Sequence, residues 1–482
     1  MLEQPPPVEE VAIAARSPRR FEPVLGPALV RAAEGRAAEL RERLGPRRVW
    51  NVNSTAVGGG VAEMLPSLLG YARWLGIDAR WLVIGGEPAF FGVTKRLHHA
   101  LHGSSGDGRP LGAAEREVYE AVQRHNAPQL LERVRPGDVV ILHDPQTAGL
   151  APALAEAGAV VAWRCHIGHD AVNGEVESGW SFLEPYLAEV PAYVFSRRAY
   201  VPRQLDAGRA AVIAPSIDPF SAKNEELAEE TVRAILVQVG LIAGTPRAEG
   251  VSFPGADGAE RSVRRPAAIV REGPPPEWGT PLVVQVSRWD PLKDPLGVIA
   301  GFRALIEQGR AGDAELVLAG PDVSSVSDDP EGQAVLEAAV SAWRALSPPL
   351  RRRIHLAQLP TDDLAENASM VNALQRHASV VVQKSLNEGF GLTVTEAMWK
   401  ARPVLASAVG GIRDQIEDGV SGVLVADPSD TAAYAAALAE LVGEPARAAA
   451  IGERARERVR EQYLGLRHLG QYADLLERLG LW

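Results

Sequence analysis

Twice along its length this chain shows the same alternation: a short run of branched apolar residues, a turn, then a stretch with helical apolar spacing. The first series of strand-like runs is Arg48-Val-Trp-Asn-Val, Arg80-Trp-Leu-Val-Ile, Val139-Val-Ile-Leu-His143, Val160-Val-Ala-Trp-Arg164 and Ala192-Tyr-Val-Phe-Ser196. The second is Pro281-Leu-Val-Val-Gln-Val286, Glu315-Leu-Val-Leu-Ala319, Arg353-Ile-His-Leu-Ala357, Ser379-Val-Val-Val-Gln383 and Pro403-Val-Leu-Ala406. Strands alternating with helices predict parallel sheets covered on both faces. The expected class is therefore α/β, with two successive doubly wound domains. The chain has 482 residues, more than one core fills. The first domain is expected over 21–225 and the second over 280–462, and the helix at about 463–482 is a candidate to pack back on the first. Residues 1–20, Pro-rich and charged, read as disordered. Residues 243–279 cluster Gly and Pro and read as a loop insertion without a core of its own. In such sheets ligands sit beyond the carboxyl ends of the strands, so the cleft between the domains is the expected ligand site.

Charge and cysteine content narrow the partners. The net charge is −11, which gives no general attraction to nucleic acid or anionic membrane. Cys165 is the single cysteine, so an intrachain disulfide and a Cys-based zinc site are excluded. That count suits a reducing cytoplasm. The N-terminus shows no apolar signal core, and no apolar run approaches the ~18–20 residues that span a bilayer. A cytoplasmic location is the expectation.

Four motifs fall at strand ends. Asn51-Val-Asn-Ser-Thr-Ala-Val precedes Gly58-Gly59-Gly60 and a helix. Glycines there let backbone N–H groups approach an anion at a helix N-terminus. The run is neither the dinucleotide fingerprint nor a Walker loop. Next, Arg288 and Lys293 follow a strand in Gln285-Val-Ser-Arg-Trp-Asp-Pro-Leu-Lys-Asp294. Two cations in that position suit a diphosphate whose charge grows as it leaves. Third, Lys384-Ser-Leu-Asn-Glu-Gly-Phe-Gly-Leu-Thr-Val-Thr-Glu396 places Glu388 in a turn and Glu396 about two helical turns on. The two carboxylates are not neighbours on one helix face, so paired-carboxylate hydrolysis is not the natural reading. A turn glutamate can accept sugar hydroxyls while following N–H groups hold phosphate. Fourth, Trp163-Arg-Cys-His-Ile-Gly-His-Asp170 sets His166 just past a strand. His169 follows by three, but no third ligand stands nearby and no Asp-x-Asp occupies a strand end, so no metal is assigned. His143-Asp144-Pro-Gln146 also ends a strand and is a candidate acceptor-side segment.

Together these segments resemble the retaining GT-B glycosyltransferases of family 4. The finer resemblance is to trehalose synthases of the glycosyltransferring type. It rests on Asn51-Val-Asn-Ser-Thr-Ala, Gly-Gly-Gly-Val-Ala-Glu-Met, Phe-Phe-x-Val-Thr-Lys, Trp-Arg-Cys-His-Ile, Pro215-Ser-Ile-Asp-Pro219, Val286-Ser-Arg-Trp-Asp-Pro-x-Lys-Asp-Pro295 and Glu-Gly-Phe-Gly-Leu-Thr-Val-Thr-Glu-Ala-Met-Trp-Lys400, and runs from about residue 21 to 430. The resemblance implies two Rossmann-like domains. Glu396 is then similar to a ribose-binding glutamate. Glu388, with Asn387, Gly389, Phe390, Gly391 and Leu392, is similar to the group that binds donor sugar hydroxyls and phosphate. Arg288 and Lys293 look like the diphosphate clamp, and Gly58, Gly59 and Gly60 like the loop that closes on the donor. His166 looks like the histidine near the reacting sugar carbon, and Asn53, Asp144 and His166 are the acceptor-side candidates. The implied substrates are ADP-glucose or UDP-glucose and free glucose, joined through an α,α-1,1 bond. No cofactor is required on this reading; stimulation by Mg2+ and a homodimer are compatible with it. Two rivals stand beside it, a family-4 transferase with another acceptor and a non-catalytic sugar-nucleotide-binding protein.

Overall fold

The computed structural model describes residues 5–57, 59–323 and 330–480. The chain divides into two units, Met1–Ser216 with Tyr463–Trp482, and Ile217–Gln462. Each is built on a seven-stranded sheet.

In the first unit the strands are β1 (Glu9–Val11), β2 (Val49–Asn53), β3 (Ala79–Val83), β4 (Val139–His143), β5 (Val160–Cys165), β6 (Ala192–Phe195) and β7 (Ala210–Val212), in the order β1-β3-β2-β4-β5-β6-β7. All pairs are parallel except β1 with β3. Alternate residues feed opposite faces. Trp50, Val52, Val140, Leu142, Val161 and Trp163 join one core, while Val49, Trp81, Val139, Ile141 and Ala162 join the other. Two covered faces explain why the strands read as unbroken apolar runs.

The second unit holds β8 (Val251–Pro254), β9 (Glu260–Val263), β10 (Ala268–Val270), β11 (Leu282–Val286), β12 (Glu315–Pro321), β13 (Ile354–Leu359), β14 (Val380–Gln383), β15 (Val404–Ser407) and β16 (Val423–Val425). Its sheet runs β10-β13-β12-β11-β14-β15-β16, with β10 antiparallel at the edge. Because β11 lies between β12 and β14, the segments after β11 and β14 emerge side by side. Order reverses at this strand, the place where such sheets open a crevice.

Three boundary expectations are corrected. The described part of residues 1–20 is ordered: β1 pairs with β3 from Glu9↔Val83 to Val11↔Trp81, and Val8 N–H donates to Gln129 Oε1 at 2.9 Å. A short antiparallel strand caps an otherwise open sheet edge, which outweighs its Pro-rich composition. Gly85 is needed for this, since a Cβ there would lie 1.7 Å from the Pro6 carbonyl oxygen. Residues 243–279 form the hairpin β8–β9 and then the edge strand β10. Val251, Phe253 and Val263 bury one side of the hairpin, and Asp257-Gly258 sits in its turn, with Gly258 at φ 81°. Finally, the first unit ends at Ser216, not 225, and the second starts at Ile217, not 280. The reason is that the carbonyls of Ala222 and Glu225 accept from Asn372 Nδ2 in the helix Leu364–His377.

The helix Gly465–Arg478 belongs to the first unit and delivers His468 and Tyr472 to the buried Arg164. Among the described residues no helix is long and apolar enough to cross a membrane.

Candidate active site

In the first unit several candidate side chains gather where β2, β4 and β5 end. Asn51, inside β2, meets His143 Nε2 through its Oδ1 at 3.0 Å. His143 Nδ1 lies 3.1 Å from His166 Nε2, and the two rings stack 15° from parallel. The backbone N–H of His166 donates to Asp144 Oδ1 at 2.7 Å. Asp144 sits at φ 64°, a conformation that costs a non-glycine residue about 1–3 kcal/mol. It is held by its N–H donating to the Arg164 carbonyl at 2.7 Å and by Trp163 Nε1 donating to its own carbonyl at 3.0 Å.

Charge here is set by burial and by one cation. Arg164 is fully buried, and its guanidinium donates to the Ile213 carbonyl at 3.2 Å and Tyr472 Oη at 2.5 Å, with His468 Nε2 at 3.0 Å. Burial first, then Arg164, pushes His143 down to about 3 and His166 well below the usual imidazole range. Both rings are neutral near pH 7, so in their mutual contact one donates and the other accepts. Burial also pushes the Asp144 carboxyl up to about 7, against the opposing pull of the His166 N–H and Arg164.

This shift gives a testable sign. An aspartate in the unfolded chain titrates near roughly 4. Between that value and about 7 the folded chain keeps a proton that the unfolded chain has lost, so stability falls as pH rises through the window. Asp144→Asn has no such titration. Thermal unfolding is expected to show the native chain losing more Tm between pH 4.5 and 7.5 than the variant, in about that window. Parallel pH profiles would remove the assignment.

Other first-unit candidates have different places. Asn53 is buried, its Oδ1 accepting from Trp81 Nε1 at 2.7 Å and its Nδ2 donating to the Thr55 carbonyl at 2.7 Å. Both ends of its amide thus take part in shaping the strand end. Gly59 takes φ 81° as N-cap of the helix Gly60–Trp74. Gly58 lies outside the described residues.

In the second unit the loops after β11 and β14 meet. Lys293 Nζ pairs with Glu388 Oε2, side chains 16% and 13% exposed. Ser385 Oγ donates to the same carboxylate oxygen at 3.3 Å. The Leu386 N–H donates to the Leu292 carbonyl at 2.8 Å, joining the loops through backbone. Beneath them Lys384 pairs with Asp294 and donates to the Pro428 carbonyl at 2.8 Å. Asp294, at φ 47°, caps the helix Pro295–Glu307 by accepting from the Gly297 N–H at 2.9 Å. Gln285, a polar residue inside β11, bridges both loops: its Nε2 donates to the Lys293 carbonyl at 2.9 Å and its Oε1 accepts from the Lys384 N–H at 3.1 Å.

The glycine turn is held just as closely. Gly391, at φ 89°, is the N-cap of the helix Leu392–Trp399. Gln415 Nε2 donates to the carbonyls of Phe390 and Gly391, and Thr395 Oγ1 donates to Gln415 Oε1 at 2.6 Å. Asn387 Oδ1 accepts from the Glu388 N–H at 2.8 Å. The Phe390 ring is buried, so that residue offers the turn its backbone. The Gly389–Leu392 segment thus brings backbone N–H groups to a helix N-terminus, a setting that favours anions. Glu396 is buried on the same helix, with Lys223 Nζ 3.8 Å from its Oε1. Arg288, past the end of β11, has a side chain 68% exposed that pairs with Asp290 at 3.1 Å.

Sequence reasoning missed the framework residues Gln285, Asp294, Gln415, Arg164 and His468, and also Lys223. A signal existed for Gln285, which like Asn51 and Gln383 is a polar residue inside an otherwise apolar strand, where a buried amide needs partners. No group of three metal-ligating side chains occurs among the described residues.

Residues 51–202 match the family described as trehalose synthase, N-terminal domain, and residues 363–458 that described as glycosyl transferases group 1. A trehalose synthase of Rubrobacter xylanophilus is 36% identical over 448 residues, covering 92% of this chain and 94% of that one. One of Pyrococcus horikoshii is 35% identical over 444 residues, 92% of each chain. The chain belongs to the trehalose synthase family. It is a glycosyltransferase acting in trehalose metabolism. An α,α-trehalose-phosphate synthase (UDP-forming) from Burkholderia vietnamiensis shares the fold at a TM-score of 0.65 and 16% identity, covering 89% of this chain and 99% of that chain. The architecture is thus GT-B, two Rossmann-like units, and each unit carries its own strand-end cluster of candidate site residues.

Proposed function

We propose that the chain transfers glucose from ADP-glucose or UDP-glucose to the C1 hydroxyl of free glucose, keeping the α configuration and giving trehalose. The observation that carries this reading is the convergence of Lys293, Glu388 and the Gly389–Leu392 turn at two adjacent strand ends. Lys293 supplies a cation and the turn supplies N–H groups for a diphosphate, while Glu388 accepts donor sugar hydroxyls. Glu396 takes the ribose diol. Arg288 reaches the phosphates by leaving an exposed pair with Asp290, and such a pair is worth little.

As the bond from the donor glucose C1 to the phosphate oxygen breaks, negative charge grows on the diphosphate and positive charge on the sugar ring. The leaving phosphate oxygen takes the proton of the incoming hydroxyl on the same face, and the acceptor oxygen bonds C1. Lys293, Arg288 and the helix N-terminus stabilise the separated charges. His166 and Asp144 lie at the first unit's strand ends, where they suit an uncharged sugar. Incubation with ADP-glucose or UDP-glucose plus glucose tests the reading: trehalose and nucleoside diphosphate should form in equal amounts. Hydrolysis alone, or no turnover with either donor, would refute it.

On this reading the transfer needs no divalent ion, because Lys293, Arg288 and the turn amides supply the charge that offsets the diphosphate. Activity is expected to persist within about twofold after exhaustive EDTA treatment, since no step draws on metal charge. Complete loss, reversed by Mg2+, would show that the diphosphate is held through an ion.

A further inference from the structure

The segment Ile217–Glu226 lies outside both matched family regions and brings Lys223 to the buried Glu396. The Lys223 and Glu396 side chains are 22% and 5% exposed. Their separation, 3.8 Å, is within ion-pair range yet too long for a direct hydrogen bond. An oxygen seated about 2.8 Å from each atom fits this gap. A lysine ammonium can only donate and a carboxylate can only accept. A hydroxyl between them can bond to both, accepting from Lys223 and donating to Glu396; a C–H group can bond to neither.

The backbone on either side of Lys223 is held from several directions. Asn372 Nδ2 donates to the carbonyls of Ala222 and Glu225, at 3.0 and 2.9 Å. Arg376 Nη2 donates to those of Asn224 and Glu225, at 3.1 and 2.8 Å. Trp399 Nε1 adds a bond to the Asn224 carbonyl at 3.2 Å. Lys400, buried under Glu396, donates to Asn224 Oδ1 at 3.1 Å, to Gln375 Oε1 at 2.8 Å and to the Glu396 carbonyl at 3.1 Å. The hairpin β8–β9 closes the far side. Its Ala256 N–H donates to Glu225 Oε2 at 2.5 Å, and its Arg261 lies 3.4 Å from Glu225 Oε1. The insertion therefore braces the Lys223 segment, and Lys223 sits beside the ribose carboxylate with a fixed backbone.

We propose that Lys223 is a specificity residue that reads the ribose 2′-hydroxyl of the nucleotide together with Glu396. This rests on Glu396 being the ribose-binding group. Calorimetric titration of UDP, ADP and their 2′-deoxy forms into the full chain tests it. The native chain should prefer the ribonucleotide by about tenfold or more, the scale of one charge-assisted hydrogen bond. Lys223→Met should reduce that preference to about twofold or less, chiefly by weakening the ribonucleotide, and Lys223→Arg should restore most of it. If Lys223→Met folds poorly, Lys223→Leu gives the same comparison. An undiminished preference in the Met variant, or equal weakening of ribo and deoxy forms, would overturn the inference and leave the reading of Glu396 standing. Failure of every nucleotide to bind the native chain would overturn both.

Discussion

Lys293→Ala is expected to lower kcat by about 10²-fold or more at saturating donor, with Arg288→Ala falling in the same range. Lys293 is only slightly exposed and its ammonium already lies against Glu388, so the loops hold it near the proposed phosphate position without a partner having to be recruited. Its attraction to the diphosphate strengthens as the glycosidic bond breaks, because the leaving group gains charge. An interaction that strengthens in the transition state appears in kcat rather than only in KM. Glu388 sharpens the test. In Lys293→Ala its carboxylate loses the paired cation and stands closer to an unneutralised phosphate, so the double variant Lys293→Ala/Glu388→Gln should recover part of the loss. Single-turnover rates with excess enzyme separate this effect from product release. Near-normal turnover in both single variants would sink the clamp.

The alternation of strand-like and helix-like segments made the two sheets legible, because strands buried on both faces show as continuous apolar runs. The edge strands did not show. β1 and β10 are each three residues long, and their pairing is fixed by a sheet edge that forms from distant sequence. Residues 243–279 looked like a loop because Gly and Pro dominate, although Val251, Phe253 and Val263 already alternate around Asp257-Gly258. In the second half the Lys293–Glu388 contact follows from two motifs lying on adjacent parallel strands. Arg288, five residues before Lys293, was grouped with it by charge and by place at the strand end; its pair with Asp290 was not legible in the motif. The tie of His468 to Arg164 spans 304 positions and could not be read from local pattern. Asn53, chosen because it is polar at a strand end, also accepts from the indole of Trp81 on the adjacent strand, a tie that local pattern does not reveal.

The largest selectivity is expected in the acceptor. Glucose should outperform both glucose 6-phosphate and 2-deoxyglucose by about 10²-fold or more in kcat/KM, since a site built to hydrogen-bond hydroxyls leaves buried polar groups unpaired when one is missing. The solved trehalose-phosphate synthases share this fold at 13–17% identity, a level that carries architecture but not acceptor choice. The difference is argued from charge. At the strand ends of the first unit the assembled groups are Asp144, His143 and His166, and burial keeps both imidazoles neutral. The nearby cation, Arg164, is turned inward to Ile213, His468 and Tyr472. A phosphate brought to Asp144 and two neutral rings would meet a carboxyl group that is partly ionised near pH 7 and gain no charge-assisted bond there. A glucose hydroxyl can donate to Asp144 and exchange hydrogen bonds with His166 without that penalty. His166→Ala should therefore weaken the use of glucose far more than the binding of donor nucleotide. Proton NMR of the wild-type product should show two equivalent α-anomeric positions and no reducing-end signal. A product with a free reducing end, or preference for glucose 6-phosphate, would refute the acceptor while leaving the transferase reading intact.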